Sequence, residues 1–333
     1  MVGRRAHILG IGTAVPPHVV TNHDLAERMS TSDEWIVERT GIRERRWVDE
    51  TTGTSDLAAD AARRACAAAG VPLDRIDMVV FATLSPDHNF PGSGVFLQRK
   101  LGLRPMPILD IRQPCTGFIY GLSIADQYVR SGAAEHVLVI GAEVHSTGLD
   151  VSTAGRDVTV LFGDGAGAVV VGPSPEEGRG ILSTHLYADG SGAEDLWVEA
   201  PGSRKHPRIT MRDLEEGRHY PRMNGRQVVR NAVQRLQEVT LEALRANGYE
   251  LADLGCLIPH QANLRISEYV QKAMGLPDEK IHNNIDRYGN TTAASIPICL
   301  EEAVQVGKIR PGALVCLAAF GAGYTWASAL LRW

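Results

Sequence analysis

Two glycine-rich segments, one near the middle of the chain and one near its end, indicate an internal duplication. The first reads VLFGDGAGAVVV from residue 160, and the second reads AAFGAGYTWASAL from residue 318. Their separation of about 158 residues is close to half of the 333, which favours two similar halves over a solenoid with its roughly 20- to 50-residue period. A turn-rich stretch, PSPEEG from residue 173, predicts one half at 1–175 and the other at 176–333.

Strand-like apolar runs alternate with helical patterns through the first half. The predicted strands lie at 6–11, 78–83, 107–111 and 136–142, and the predicted helices at 56–70, 93–101 and 117–130. This order is typical of an α/β fold. The continuous apolar run VLVIGA, from residue 137, further predicts a sheet covered by helices on both faces.

Composition and charge exclude several classes of protein. A formal net charge of −5 without a long run of one sign argues against nucleic-acid binding. The five cysteines are odd in number and never occur as C-x-x-C, so we expect reduced thiols, no bound metal and a cytoplasmic location. No signal peptide and no window of roughly 18 apolar residues is found, so we expect no stable membrane insertion.

The glycines that follow the first predicted strand are similar to part of a dinucleotide-binding fingerprint. The run GIGT from residue 10 is followed at once by VPP from residue 15, which prevents the helix that would hold a pyrophosphate. No P-loop motif is present either. We therefore expect no nucleotide cofactor, and we interpret Gly163, Gly165 and Gly167 as positions of close backbone approach.

Cys115 lies between a predicted strand and a predicted helix. The helical spacing of Phe118, Leu122, Ala125 and Val129 begins just after it. Unpaired N–H groups and the helix dipole favour a thiolate at a helix N-terminus, and the thiolate is the nucleophilic form. Cys115 is therefore a candidate nucleophile, although a lone cysteine is more often a buried core residue.

A histidine and an asparagine occupy similar junctions in the second half. His260 follows an apolar run and precedes a helical pattern at 264–274, and Asn290 precedes a helix that tolerates Pro297 in its first turn. Taken singly, each fits a structural role, such as a helix cap for the asparagine. The recurrence of Cys, His and Asn at element ends favours a shared catalytic site.

Six motifs follow one another along nearly the whole chain: TSDEWI with RTGI from residues 31 and 39, CTGF from 115, FGDGAG from 162, PHQAN from 259, GNT from 289 and FGAG from 320. Together they resemble the motifs of the β-ketoacyl-acyl carrier protein synthase III family, a branch of the thiolase superfamily. The resemblance implies a thiolase fold, in which two similar βαβαβαββ halves form a five-layered α-β-α-β-α arrangement. It also implies a homodimer.

The resemblance further implies an acyltransferase that condenses an acyl-CoA starter with malonyl-acyl carrier protein and needs no cofactor. Cys115 would form the acyl-enzyme, and His260 and Asn290 would stabilise the enolate left by decarboxylation. The backbone N–H groups of Cys115 and Ala322 would form the oxyanion hole. Asn290 cannot titrate, so it would act as a hydrogen-bond donor rather than a base.

Other residues match family positions outside the catalytic centre. By resemblance, Trp35 and Arg156 would hold the adenine of CoA between an aromatic face and a guanidinium. Arg265 and Lys272 would meet the acidic carrier protein, although Ala273 stands where the family often has a lysine. Phe90 would reach across the dimer to close the partner's acyl pocket.

Residues 203–222 are predicted to be an insertion relative to compact family members. The segment is locally basic and carries Arg204, Lys205, Arg208, Arg212, Arg218 and Arg222. It is either a flap near the CoA or acyl entrance that adjusts substrate preference, or a solvated loop.

Alternatives to the main interpretation differ in chemistry. A cysteine hydrolase also orders Cys, His and Asn along its chain, but it would hydrolyse thioesters without consuming malonyl groups. A degradative thiolase would need a second catalytic cysteine where this chain has Phe320, and Cys316 is expected to be a core residue. A non-catalytic subunit would lack Cys115. Within the family, fatty acid initiation and a secondary-metabolic role, such as a polyketide starter, acyl transfer or chain joining, stay open.

Overall fold

The computed structural model of the protein describes residues 5–333. The strands are β1 (Ala6–Ala14), β2 (Val19–Thr21), β3 (Glu44–Arg46), β4 (Met78–Ala82), β5 (Ile108–Ile111), β6 (Val137–Glu143), β7 (Gly165–Pro173), β8 (Gly180–Ala188), β9 (Leu196–Trp197), β10 (Arg222–Met223), β11 (Cys256–Pro259), β12 (Leu314–Gly321) and β13 (Thr325–Arg332). The α-helices are α1 (Asn22–Ala26), α2 (Asp33–Thr40), α3 (Thr54–Ala69), α4 (Ser93–Leu101), α5 (Gly117–Ser131), α6 (Arg156–Thr159), α7 (Met211–Glu215), α8 (Gly225–Ala246), α9 (Leu264–Met274), α10 (Ile285–Tyr288) and α11 (Ser295–Gln305).

The two large sheets repeat one topology. The first has the order β1-β7-β6-β4-β5, with β4 parallel to β5 and β6 and with β7 antiparallel to its neighbours. The second has the order β8-β13-β12-β11, with β12 parallel to β11 and β13 antiparallel to its neighbours. An isolated parallel bridge between Leu257 and Ile281 stands where the first sheet has β5. The predicted duplication is therefore visible strand by strand.

Helices separate and cover the two sheets. α5 and α11 contact strands of both sheets and form the central layer, α3 and α4 cover the outer face of the first sheet, and α8 and α9 cover that of the second. One core cluster joins both halves across the central layer, and one further cluster lies under each outer layer. This arrangement confirms the predicted α/β thiolase fold with five layers.

The apolar pattern of the sequence explains the central layer. Phe118, Ile119 and Leu122 of α5 are completely buried, and every residue of β6 is buried, as its continuous apolar run predicts. Burying each such large side chain stabilises the fold by about 1.5–3 kcal/mol. α5 is therefore fixed on both of its faces, and this fixes the residues at its N-terminus.

The first strand is longer than predicted, and this explains the glycines that are similar to a nucleotide fingerprint. β1 continues to Ala14, so Gly10 and Gly12 lie inside the strand rather than in a turn after it. A Cβ atom on Gly10 would lie 2.3 Å from the backbone nitrogen of Ala69, and one on Gly12 would lie 2.2 Å from that of Ala65. Both glycines allow α3 to pack directly on β1.

Smaller elements surround the open end of the two sheets. The paired strands β2 and β3, with the helices α1, α2 and α6, share a fourth core cluster. Residues between β8 and α8 form a separate lobe that contains α7 and the β9–β10 pair. In the part of the chain that the structure describes, no helix combines the length and apolarity needed to cross a bilayer.

Candidate active site

Cys115 lies one residue before the N-cap of α5, so the predicted junction is confirmed. Thr116 is the N-cap residue, and its Oγ1 atom lies 2.9 Å from Oγ1 of Thr325, at the start of β13. This hydrogen bond ties the N-terminus of α5 to the other half of the chain. The Cys115 side chain is buried, with 7% of the residue exposed.

The helix N-terminus does not lower the pKa of Cys115 in the way the sequence predicted. Burial raises the pKa of Cys115 to about 12, and the nearby Glu143 carboxylate adds to this rise. The backbone N–H groups of Cys115 and Ala322 lower the pKa, but by less. Desolvation outweighs the helix terminus because the residue is only 7% exposed, so the neutral thiol is the favoured form of Cys115.

The end of β12 comes close to Cys115 because residue 321 is a glycine. A Cβ atom at Gly321 would lie 3.0 Å from the Cβ and the backbone nitrogen of Cys115. This approach brings the N–H of Ala322 to the same sulfur as the N–H of Cys115. Only the backbone of Ala322 is used, which explains why alanine is compatible with this position.

His260 follows β11 and is buried. Its Nδ1 atom lies 2.6 Å from Oγ of Ser295, and that oxygen also accepts the N–H of Gln261 at 3.3 Å. The Ser295 hydroxyl therefore has its own proton available for Nδ1, which leaves the ring proton on Nε2. Nε2 has no hydrogen-bond partner among residues 5–333, and burial lowers the pKa of His260 to about 3. The imidazole is a neutral donor.

Asn290 is held by its backbone and by its side-chain oxygen. Its N–H donates to the carbonyl of Leu161 at 2.7 Å, and its carbonyl accepts the N–H of Gly163 at 3.1 Å. Its Oδ1 accepts the N–H of Thr292 at 2.9 Å. The amide nitrogen makes no hydrogen bond within the described residues, so its two protons are available to a ligand.

Cys115, His260 and Asn290 line one narrow cavity of about 60 Å³, whose walls also include Met223 and Ala322. A second cavity of about 750 Å³ shares Cys115 and Asn290 with the first. The thiol therefore stands between a constricted channel on one side and a wide cavity on the other. The three predicted catalytic residues, which come from both halves of the sequence, are brought together.

The remaining predicted site residues lie outside this centre. The Arg156 guanidinium lies 4.2 Å from the centre of the Trp35 ring, and that of Arg39 lies 4.5 Å from it. Arg265 donates to the carbonyls of Val37 and Glu38 at the end of α2 and to the Glu268 carboxylate. Lys272 is exposed on α9, and Phe90 is 82% exposed on the loop between β4 and α4.

Sequence reasoning missed four polar residues around the centre: Glu143, Thr292 and Ser295 are buried, and His145 is partly buried. Glu143 and His145 follow the apolar run of β6, and their polar alternation after a buried strand was the available signal. Burial raises the pKa of Glu143 to about 7, although Ser85, Leu84 and Thr83 donate hydrogen bonds that lower it. Among residues 5–333, no group of three or more His, Cys, Asp or Glu side chains is arranged to hold a metal ion.

Within the lobe between β8 and α8, residues 203–222 are held together by the buried carboxylate of Asp213. Asp213 accepts hydrogen bonds from Lys205, Thr210 and Arg218, and its side chain is 3% exposed. The lobe also contributes His219 and Pro221 to the wall of the large cavity. The segment therefore lines the same cavity as Cys115, as one of the two hypotheses for it requires.

Comparison with known proteins adds independent evidence. Residues 109–190 match the family model described as 3-oxoacyl-[acyl-carrier-protein] synthase III, and residues 244–333 match the model of its C-terminal part. The chain is 47% identical over 328 residues to β-ketoacyl-[acyl-carrier-protein] synthase III of Xanthomonas axonopodis pv. citri, which covers 98% of both chains.

Solved structures agree with the sequence match. The crystal structure of β-ketoacyl-[acyl carrier protein] synthase III from Thermus thermophilus is 43% identical, with a TM-score of 0.90 over 98% of this chain and 99% of that one. The priming β-ketosynthase of the R1128 polyketide pathway is 33% identical, with a TM-score of 0.90 over 99% and 96% of the two chains. The chain, with its two motif-bearing halves and their shared cavity, belongs to the β-ketoacyl-acyl carrier protein synthase III family.

Proposed function

We propose that the chain catalyses the decarboxylative Claisen condensation of an acyl-CoA starter with malonyl-acyl carrier protein, the step that initiates fatty acid synthesis. The observation that carries the proposal is the convergence of a buried thiol, a neutral imidazole and a carboxamide on one cavity. The identity of 47% to a β-ketoacyl-[acyl-carrier-protein] synthase III, against 33% to a polyketide priming enzyme, favours fatty acid initiation over secondary metabolism.

In the first step the Cys115 sulfur attacks the carbonyl carbon of the acyl-CoA thioester. A new C–S bond forms, and the carbonyl oxygen becomes an oxyanion between the N–H groups of Cys115 and Ala322. Collapse of this intermediate breaks the C–S bond to CoA. The proton of the Cys115 thiol ends on the CoA sulfur, so no net proton is gained or lost.

In the second step the malonyl thioester loses CO2, and the electrons of the broken C–C bond form an enolate. Nε2–H of His260 and the amide of Asn290 donate to the enolate oxygen, and each donor of this kind contributes about 3 kcal/mol. The enolate carbon attacks the acyl group and releases the Cys115 thiolate. A proton from water restores the thiol, the form of Cys115 that burial favours.

The two cavities suggest separate positions for the two parts of the substrate. The large cavity of about 750 Å³ is proposed to hold the acyl chain. The narrow channel is proposed to take the thioester arm, because its wall residue Met223 packs against the same core cluster as Trp35. Its volume of about 60 Å³ is smaller than such an arm, so side chains in its wall must move when substrate binds.

CoA is proposed to bind with its adenine between Trp35 and Arg156. These two groups now stack on each other at 4.2 Å, and Arg156 also donates to the carbonyl of Ser30. Arg156 must therefore swing out and close again over the base. A guanidinium stacks on a planar base as readily as on an indole ring, so the exchange costs little.

The carrier protein is proposed to dock near α9. Lys272 is exposed there, and long-range attraction from such cations raises the association rate with an acidic partner. Arg265 contributes less, because most of its donors already bind α2 and Glu268. Reduced thiols, none of them in a disulfide within the described chain, favour the proposed cytoplasmic location.

A homodimer is proposed from the exposed edge of the first sheet. β5 has no strand on its outer side in residues 5–333, and Leu109 on that strand is 39% exposed. Phe90 is 82% exposed on the neighbouring loop. Exposed edge strands with apolar side chains are typical pairing surfaces, and pairing here would bring Phe90 of one protomer towards the partner's acyl cavity.

The proposal is tested by intact-protein mass spectrometry with a panel of acyl-CoA donors, followed by malonyl-acyl carrier protein. We expect an acyl adduct on Cys115 that disappears as β-ketoacyl product forms, and we expect Cys115→Ala to form no adduct. Asn290→Ala is expected to form the adduct at a normal rate and to fail in condensation. Absence of an adduct with every donor, or adduct hydrolysis without use of malonyl groups, would refute the assignment.

A further inference from the structure

Thr292 has an unusual backbone conformation directly beside the catalytic asparagine. Its φ is +49°, and within residues 5–333 it is the one non-glycine residue with a positive φ. A β-branched residue in this region is strained and persists only where its surroundings hold it. In this conformation the N–H of Thr292 donates a hydrogen bond to Oδ1 of Asn290 at 2.9 Å.

His145 holds the side chain of this residue. Its Nε2 atom lies 2.5 Å from Oγ1 of Thr292, and its ring packs on Phe162 with centroids 4.7 Å apart. The His145 backbone N–H donates to Oδ1 of Asp164 at 2.7 Å, within the glycine-rich motif of the first half. Three contacts therefore fix His145: the backbone hydrogen bond to Asp164, the packing of the ring on Phe162 and the hydrogen bond from the ring to Thr292.

His145 is also protected from titration. Its side chain is 15% exposed, and burial lowers its pKa to about 4. Its Nε2 atom is 3.9 Å from Glu143, too far for a hydrogen bond, so Thr292 is the one hydrogen-bond partner of the His145 ring in the described chain. His145 lines the large cavity with Cys115, yet no step of the proposed reaction requires it.

We propose that His145 is a positioning residue for condensation, which acts through Thr292 to aim the amide of Asn290 at the enolate oxygen. The inference rests on the proposed function, because it explains how Asn290, one of the proposed catalytic residues, is held in place. The His145 to Thr292 hydrogen bond holds the strained backbone, the Thr292 N–H fixes Oδ1 of Asn290, and the amide protons then face the cavity. A small misplacement of such a donor costs about 100-fold in rate.

The test separates acylation from condensation in three variants of the full-length protein. His145→Leu keeps a side chain packed on Phe162 but removes the hydrogen bond to Thr292. His145→Gln restores a polar group at the position of Nε2. Thr292→Val removes the hydroxyl group but keeps the backbone N–H. Acetyl-CoA adduct formation on Cys115 is timed by mass spectrometry, and single-turnover condensation is timed after addition of malonyl-acyl carrier protein. Thermal unfolding checks the fold of each variant.

We expect His145→Leu and Thr292→Val to slow condensation about 10- to 100-fold more than they slow adduct formation, which reports any change in the acyl cavity that both residues line. The double variant should be no slower than either single one, since both remove the same contact. His145→Gln should recover most of the condensation rate.

Condensation within twofold of the wild type in His145→Leu, or equal loss of both steps with an unchanged unfolding temperature, would overturn the inference. Asn290→Ala is measured in the same series. If that variant condenses normally, the proposed function itself fails. If it is impaired while His145→Leu is not, only the positioning role fails.

Discussion

At the scale of single residues, the thiol and the imidazole are both held in their neutral forms. Burial raises the pKa of Cys115 to about 12 and lowers that of His260 to about 3. A stable thiolate–imidazolium pair would require the opposite shifts. We therefore propose that the Cys115 sulfur is activated only as the thioester carbonyl enters the oxyanion hole.

This predicts an unusual pH dependence for alkylation of Cys115. Because the thiolate is the reactive form and its pKa is raised to about 12, the rate with iodoacetamide should rise about tenfold per pH unit from 7 to 10. The rate is followed by peptide mass spectrometry. N-acetylcysteine, as the control, should level off near its own pKa of about 8.5. A plateau for Cys115 below pH 8 would contradict the prediction.

The stacked pair at the proposed adenine site gives a second residue-level prediction. Arg156→Ala removes the guanidinium that lies 4.2 Å from the Trp35 ring. Loss of a stacking contact of about 1 kcal/mol should raise KM for acetyl-CoA about fivefold and leave kcat nearly unchanged. Acetyl-N-acetylcysteamine lacks the adenine and serves as the control substrate. An equal rise in KM for both thioesters would argue against adenine stacking.

At the scale of elements, the candidate catalytic groups lie where strands end and helices begin. β11 ends just before His260, and β12 ends at the glycine next to Ala322. Helix ends and strand ends supply unpaired N–H groups and rigid attachment, which catalytic geometry requires. The lobe between β8 and α8 differs from these elements, because polar contacts around the Asp213 carboxylate hold it together.

The lobe prediction concerns Asp213, whose pKa is lowered, first of all by the hydrogen bond from Lys205. A lowered pKa means that the ionised carboxylate stabilises the lobe at neutral pH and loses this role only at acid pH. Asp213→Ala should make trypsin cleave residues 203–222 about tenfold faster at pH 7.5. It should also change acyl-chain preference, because His219 and Pro221 line the large cavity.

Glu215→Ala is the matched control for this variant, since Glu215 is an exposed carboxylate on the same short helix. The control should resist trypsin like the wild type. If cleavage and acyl preference are unchanged in Asp213→Ala, the segment is a solvated loop without influence on the cavity.

At the scale of the whole molecule, the proposed active site lies between two halves of one topology. The first half supplies Cys115, and the second supplies His260, Asn290 and Ala322. We propose 1–175 and 176–333 as the two halves, since β7 ends at Pro173 and β8 begins at Gly180. Neither half carries all of the proposed site, so we expect catalysis to require the shared central layer of α5 and α11.

The proposed dimer gives the whole-molecule prediction. Leu109→Arg adds a charge to the exposed edge strand and should convert the dimer to a monomer in analytical ultracentrifugation. Val306→Arg, at an exposed apolar residue far along the sequence, is the control and should stay dimeric. Phe90→Ala should keep the dimer and shift the preferred acyl length. A monomeric wild type would refute the proposal.

Much of the secondary structure, the division into two halves and the candidate residues could be predicted, because local sequence patterns determine them. Apolar runs predicted β6, helical spacing predicted α5 and α9 to within a residue, and the repeated glycine-rich segments predicted two halves. Motif order predicted the family and its candidate residues Cys115, His260 and Asn290. These features depend on neighbours in sequence, on periodic burial and on turn chemistry, which a sequence expresses directly.

What only the tertiary structure decided depends on residues far apart in sequence. The neutral state of Cys115 follows from enclosure by both halves, and the bond between His145 and Thr292 joins residues from opposite sides of the duplication. The sequence predicted that the first strand ends before Gly12, but both Gly10 and Gly12 lie within β1, where α3 packs against them. Desolvation and side-chain hydrogen bonding act through space, so no local pattern in the sequence encodes them.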